Sequence, residues 1–306
     1  MRQDQDAAPP SARTFSTGYA HARLQSYLAL LRHFRGNPGF ARRHYEIFRQ
    51  VTDAFRKYGV VPIDQATVLE IGCGQRYPLT LLLHASGARV VGIDIDYVDP
   101  DRTLRPGSII AAWRRNGPER AIKTAARRTL FDRSYYRALE QAFGRALSRD
   151  RVDLRVMDAR TLGFADGSFD YACSSDVFEH IDGVEQASSE MARVLKSGGI
   201  AYVGVNLFAG ISGGHHFEWA DPDRHPSRKV PPWDHLRANR FPSQAFLNRW
   251  RERDFLATFS RHFDIVEVTP IYQGETQLTP EVERGLPYPR DELLRGGLTL
   301  ILQKPL

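Results

Sequence analysis

Carboxylates and imidazoles recur in this chain where apolar runs end and polar turns begin. Val68-Leu69-Glu70-Ile71 reads as a strand and runs into Gly72-Cys73-Gly74. The two glycines remove Cβ atoms where the backbone must turn tightly and let a ligand approach. The third glycine of a dinucleotide fingerprint would stand at position 77, which is Tyr77. A second run, Arg89-Val90-Val91-Gly92-Ile93-Asp94, ends in a carboxylate about twenty residues after the glycines. Such a carboxylate can accept two ribose hydroxyls, each charged hydrogen bond contributing roughly 1.5–3 kcal/mol. A third run places Asp158 at its end, and 168–175 forms a strand leading to Asp176-x-x-Glu179-His180. On a helical turn, positions 176, 179 and 180 share one face. Further histidines stand in His215-His216-Phe217-Glu218-Trp219 and in Pro231-Pro232-Trp233-Asp234-His235.

The elements that position these groups can be read in outline. Residues 1–16 are polar, 19–34 and 40–58 carry apolar residues at helical spacing, and Gly59 stops the second helix. A sheet-covering helix begins at 79–84. Segment 97–150 is too long for a strand–strand crossover and reads as an inserted cap with helical parts at 111–115, 121–130 and 134–147. Residues 191–199 end a helix and 200–205 form the next strand. A long loop follows, and loops leaving strand C-termini in open α/β sheets carry function disproportionately. Ser243 is a good N-cap for a helix running through Phe246, Leu247, Trp250 and Phe255. Strands 263–268 and 298–302 close the chain, with a Pro/Gly flap at 273–295 between them.

Taken in order from Val68 to Val205, these pieces resemble the class I S-adenosylmethionine (SAM)-dependent methyltransferases. The resemblance implies an α/β fold, a doubly wound seven-stranded Rossmann-like sheet with an antiparallel last strand. It adds N-terminal helices over residues 1–58 and a methyltransferase domain over 59–306, with cap insertions at about 97–150 and 207–242. It also implies that Glu70, Gly72, Cys73 and Gly74 frame the methionine part of SAM. Asp94 then holds the ribose, Ile95 packs on adenine, Asp158 takes the adenine amino group with Ala159 beside it, and Ser175 lies near the methionyl end. Tyr19 and His21 are candidates for ligand contact or for plain packing, and Arg76 and Tyr77 for shaping the pocket mouth or covering a helix start.

Methyl transfer from the sulfonium is an in-line displacement, so the protein must align donor and acceptor. A hydroxyl acceptor must also lose a proton, to a base such as His180, His216 or His235, or with the help of a divalent metal. Asp176-x-x-Glu179-His180 resembles the E-x-x-E-H metal motif of ubiquinone-biosynthesis O-methyltransferases and small-RNA 2′-O-methyltransferases, and His215-His216-Phe217-Glu218-Trp219 the H-x-F-E-W piece of the latter. Asp176, Glu179, His180, His215 and His216 are therefore candidate ligands for Mg²⁺ or another divalent metal, with a substrate diol completing the shell. The alternative leaves histidine as base without metal.

Charge is uneven. Residues 97–150 carry twelve Arg or Lys against six Asp or Glu, equal to the whole chain's net +6. That suits an anionic partner or a solvated helical face, and Tyr135-Tyr136 beside arginines can stack on bases. No run of eighteen apolar residues predicts a membrane span, and two cysteines with no signal-like N-terminus point to the cytoplasm. The N-methyltransferase hallmark Asn/Asp-Pro-Pro-Tyr/Phe is absent after Ser174. The leading expectation is O-methylation of a small molecule or sugar in natural-product or glycan biosynthesis, acceptor choice lying in 231–259. RNA 2′-O-methylation and a non-catalytic SAM-binding protein are the alternatives. Oligomeric state is not legible.

Overall fold

The computed structural model describes residues 37–98, 110, 113–115, 117–148, 152–240, 242–243 and 245–306. The expected helix at 19–34, Tyr19 and His21 lie outside them. The strands form one seven-stranded sheet in the order β3 (Asp153–Val156), β2 (Arg89–Asp94), β1 (Thr67–Ile71), β4 (Phe169–Ser175), β5 (Leu195–Asn206), β7 (Arg295–Gln303) and β6 (Asp264–Tyr272). Strand order therefore reverses between β1 (Thr67–Ile71) and β4 (Phe169–Ser175), the topological switch point at which open α/β sheets bind ligands. The chain divides into two compact units, one of residues 1–50 and 72–158, the other of 51–71 and 159–306.

In the first unit, helix α1 (Asn37–Tyr58) contributes residues up to 50, and Tyr45 and Phe48 pack against Phe143 with ring centroids 6.4 and 5.7 Å away. The glycine loop leads into α2 (Pro78–Ala85), with Tyr77 in a left-handed conformation just before it and Pro78 at its first turn. Tyr77 is 1% exposed, and Arg76 pairs with Asp132 at 2.8 Å, so both cover the helix start. Strand β2 (Arg89–Asp94) pairs in parallel with β3 (Asp153–Val156). Between them stand α3 (Pro118–Leu130) and α4 (Asp132–Phe143), somewhat longer at their starts than the sequence predicts. The stacking role for Tyr135-Tyr136 does not hold. Both rings are buried, one hydroxyl bonding His44 Nδ1 at 2.8 Å and the other donating to the Arg76 carbonyl at 2.8 Å.

In the second unit β1 and β4 are parallel and almost wholly buried, which is why both read as near-continuous apolar runs. Strand β5 (Leu195–Asn206) starts directly at the end of α5 (Val184–Val194), five residues earlier than the sequence suggests, because 195–199 are extended. It pairs in parallel with β4 and antiparallel with β7 (Arg295–Gln303), which in turn pairs antiparallel with β6 (Asp264–Tyr272). The expected closing pair is present, and Pro270 sits on the outermost strand, where a missing N–H costs no ladder bond.

Two segments differ from their sequence reading. No helix starts at Ser243; α6 spans only Glu252–Phe259, capped by Arg251 with Asp254. The cause is tertiary. The Asn248 amide donates to the Glu179 carbonyl at 2.9 Å, so residues 245–250 run as a strap whose polar groups serve another segment rather than a helix. The long loop after β5 also has its own small core. Ile211, Trp219, Val230 and Trp233 pack with Leu278 and Leu293, joining the loop to the flap and its short helices α7 (Pro280–Glu283) and α8 (Arg290–Leu294).

Candidate functional site

In the first unit the glycine loop and the end of β2 are tied together by backbone donors. Gly74 N–H donates to Asp94 Oδ2 at 2.9 Å, and Asp96 N–H to Asp94 Oδ1 at 2.9 Å. Gly72 and Gly74 have φ of 77° and 65°, a conformation that disfavours a side chain. The Gly72 and Cys73 amides both donate to the Ile93 carbonyl, at 2.8 and 2.9 Å. The Asp94 carboxylate is thus held in one orientation at a strand C-terminus. Ile95, next in sequence, is 43% exposed, an apolar surface beside that carboxylate. Asp158 is half-buried just past β3. Glu70, Ala159 and Ser175 belong to the second unit, where Glu70 is 5% exposed at the end of β1 and raises the Cys173 thiol pKa after burial has already pushed it well up.

The second unit gathers the candidate proton-handling residues. The turn after β4 is 3-10 rather than α-helical, spanning Phe178–His180, and Asp176 precedes it with φ of 58°. The shared helical face expected for 176, 179 and 180 is therefore absent. Asn206, at the end of β5, makes the connection instead: its Nδ2 donates to Asp176 Oδ1 at 3.0 Å and to Glu179 Oε1 at 2.7 Å. Sequence reasoning passed over Asn206 because its side chain meets the carboxylates only through strand register.

Glu179, His180 and His215 converge, with one donor atom from each within 4.8 Å of the others. The His180 and His215 rings meet edge to face, centroids 4.7 Å apart, and His215 Nε2 is 3.8 Å from Glu179 Oε1. His215 has φ of 52°, and strain of this kind in a non-glycine residue clusters at functional sites. Glu179 is 3% exposed, and its Oε2 has no hydrogen-bond partner among the described residues. Burial first, and the nearby Asp176 charge second, push its pKa up to about 8. Burial and the neighbouring His180 and His235 lower His215 to about 4, so its imidazole is neutral across the physiological range.

Hydrogen bonds fix the tautomers of the three candidate bases, because a carbonyl can only accept. His180 Nδ1 lies 2.8 Å from the Phe246 carbonyl, so Nδ1 carries the proton and Nε2 the lone pair. His235 Nε2 lies 2.8 Å from the Phe208 carbonyl, so its lone pair is on Nδ1. His216 Nδ1 accepts from the Glu218 amide at 3.3 Å, which puts its neutral-form proton on Nε2. His216 is not part of the Glu179–His180–His215 group.

A cavity of about 430 Å³, within the usual range for small-molecule sites, has His235 in its lining. Phe208, Gly214 and His235 line one side, and Phe246, Leu247 and Arg249 of the strap line the other. Trp233, fully buried and left-handed at φ 54°, starts the 3-10 turn that delivers His235. Gly214 is needed there, since a Cβ would stand 2.6 Å from His235 Cβ.

Residues 106–203 match a family described as a methyltransferase domain. The match starts downstream of Gly74 and Asp94 and takes in Asp158 and the turn bearing Glu179 and His180. A Mycobacteroides abscessus protein named as an uncharacterized methyltransferase is 28% identical over 234 residues, covering 72% of this chain and 76% of that one. One from Mycolicibacterium gilvum with the same name is 30% identical over 199 residues, covering 63% and 62%. Similar proteins of three Mycobacterium strains are 42% identical over 55 residues, and the chain spans only 22% of their length. Among solved structures, a SAM-dependent methyltransferase of Methanosarcina mazei is 19% identical, with 81% of this chain and 99% of that chain covered and a TM-score of 0.42. The N-methyltransferase NodS of Bradyrhizobium japonicum is 13% identical, with 87% and 96% covered and a TM-score of 0.42. The domain match and these relatives support the class I SAM-dependent methyltransferase resemblance that the ordered motifs carry, and the strand order agrees with it.

Proposed function

We propose that the chain transfers the methyl group of SAM to a hydroxyl on a small molecule or sugar. In this reading Gly72, Cys73, Gly74, Asp94, Ile95 and Asp158 take part in holding the cofactor, as do Glu70, Ala159 and Ser175, and the acceptor enters the cavity beside His235 and the strap. The acceptor oxygen attacks the methyl carbon. The carbon–sulfur bond breaks with its electron pair left on sulfur, giving S-adenosylhomocysteine, and the hydroxyl proton passes to an imidazole. His235 Nδ1 is a lone pair available for this, and so is His180 Nε2 when no cation occupies it, whereas His216 Nδ1 is spent on its own turn.

The observation that carries the reading is the convergence of Glu179, His180 and His215 with Glu179 Oε2 left unpartnered. One carboxylate and two imidazoles, with Asp176 held nearby through Asn206, suit a divalent cation, and the imidazoles favour a transition metal over Mg²⁺. Bound there, such an ion supplies positive charge that acidifies a coordinated hydroxyl. Both cysteines are free, which suits a reducing cytoplasm. Among the described residues no helix is long and apolar enough to cross a membrane.

The test is transfer of label from methyl-labelled SAM into fractionated cell extract, with and without EDTA. Label in a small-molecule or glycan fraction is expected, and its loss with EDTA would support the metal set. EDTA-resistant label would remove the metal and leave histidine as the base. Label found in RNA instead would replace the acceptor class.

A further inference from the structure

The strap at 245–250 holds the turn that carries His180, and one side chain supplies most of the grip. Asn248 uses every hydrogen-bonding group it has except its own carbonyl. Its backbone amide donates to the Glu179 carbonyl at 2.9 Å. Its Nδ2 donates to the Phe178 carbonyl at 2.8 Å and to the Ile181 carbonyl at 3.0 Å. Its Oδ1 accepts from the Trp250 amide at 3.2 Å. Two residues earlier, the Phe246 carbonyl receives His180 Nδ1–H. Phe178, Glu179 and Ile181 thus all bond Asn248, and the remaining residue of the turn, His180, bonds Phe246. A 3-10 turn of three residues has few internal bonds of its own to hold its side chains in place.

We propose that Asn248 is a positioning residue: it clamps the 178–181 turn to the strap, and so keeps His180 in the tautomer that presents the Nε2 lone pair. The inference deepens the reading above, since it rests on His180 acting in turnover. It also gives the strap two functions. Asn248 and the Phe246 carbonyl bond the turn, while Phe246, Leu247 and Arg249 are also lining residues of the proposed acceptor cavity. The sequence gives no sign of this, since residues 243–255 read as an ordinary amphipathic helix with Asn248 on an unremarkable face.

The test is the ring-nitrogen spectrum of His180 in ¹⁵N-labelled full-length protein at about pH 8, assigned by its loss in His180→Ala. Wild type is expected to show Nδ1 protonated and Nε2 bare. A wild-type Nε2–H tautomer would overturn the proposal without any further variant. Asn248→Asp keeps the shape and the acceptor but removes both Nδ2 donors. It should shift His180 toward a tautomer mixture and cut turnover about tenfold, with S-adenosylhomocysteine affinity within about twofold of wild type. An unchanged His180 spectrum in Asn248→Asp overturns the clamp. A shifted spectrum with undiminished turnover supports the clamp and instead overturns the role of His180 in the reaction.

Discussion

The two ends of this molecule's chemistry are built on opposite principles. At the glycine loop, the key carboxylate is satisfied before any ligand arrives: both oxygens of Asp94 accept backbone amides, from Gly74 and Asp96. At the turn after β4, the key carboxylate is left wanting: Glu179 is buried beside Asp176, with one oxygen unpartnered and its pKa raised to about 8. The first arrangement fixes a partner in place at little cost. The second stores unfavourable electrostatics that a cation or a proton relieves. In the proposed reading the first is a binding frame and the second a reacting centre, and the difference yields separable mutational signatures.

The largest effect should come from the reacting centre. His180→Ala is expected to lower turnover by roughly 10²–10⁴-fold, the usual contribution of a general base, with S-adenosylhomocysteine affinity nearly unchanged by calorimetry. Glu179→Gln tests the stored strain. The folded-state pKa of Glu179 is raised from the usual 4.5 to about 8, so the native state holds a proton the unfolded chain has lost. Wild-type stability should therefore fall as pH rises from about 4.5 to about 8, on the order of a few kcal/mol. Denaturant titrations of Glu179→Gln across that window should lack this part of the slope. His215, lowered to about 4, acts in the opposite sense: it contributes stability above its usual 6.5 that is lost as pH falls toward about 4. Removing Glu179 alone should leave that acidic limb in place.

The binding frame should respond differently. Asp94→Asn is expected to weaken S-adenosylhomocysteine roughly 10–100-fold, from the worth of charged hydrogen bonds. It should leave the pH dependence of stability between pH 5 and 8 as in wild type. A comparable effect, on folding rather than on binding, is expected at Gly214→Ala, where the new methyl meets His235. It should cost roughly 1–3 kcal/mol of overpacking, read as a lower unfolding midpoint, and disturb turnover more than cofactor affinity.

The strands and the glycine turn around Asp94 were legible in the sequence, and the geometry around Glu179 only partly so. Val68 to Gly74, Asp94 and the closing strands follow local rules of strand periodicity, turn glycines and ordered spacing. The pairing of Glu179 and His180 was visible as a motif, but its geometry was misread as helical, because a 3-10 turn and an α-turn share the same residue spacing over so short a span. His215 was named, yet its meeting with His180 depends on how the 207–236 loop folds over its own core of Ile211, Trp219 and Trp233. Asn206 and Asn248 had no signal at all. Asn206 acts across 27 residues of sequence and Asn248 across 70, each through a hydrogen bond that only the fold brings about. The helix expected from Ser243 failed for the same reason: local propensity lost to long-range bonds to the 178–181 turn.

The most direct test of the division between frame and centre is to measure, on one preparation of His180→Ala, both the S-adenosylhomocysteine dissociation constant and label transfer from SAM to the acceptor fraction. The account predicts wild-type cofactor affinity with label transfer reduced at least about a hundredfold. Label transfer at the wild-type rate would contradict it and place the reacting centre elsewhere in the molecule.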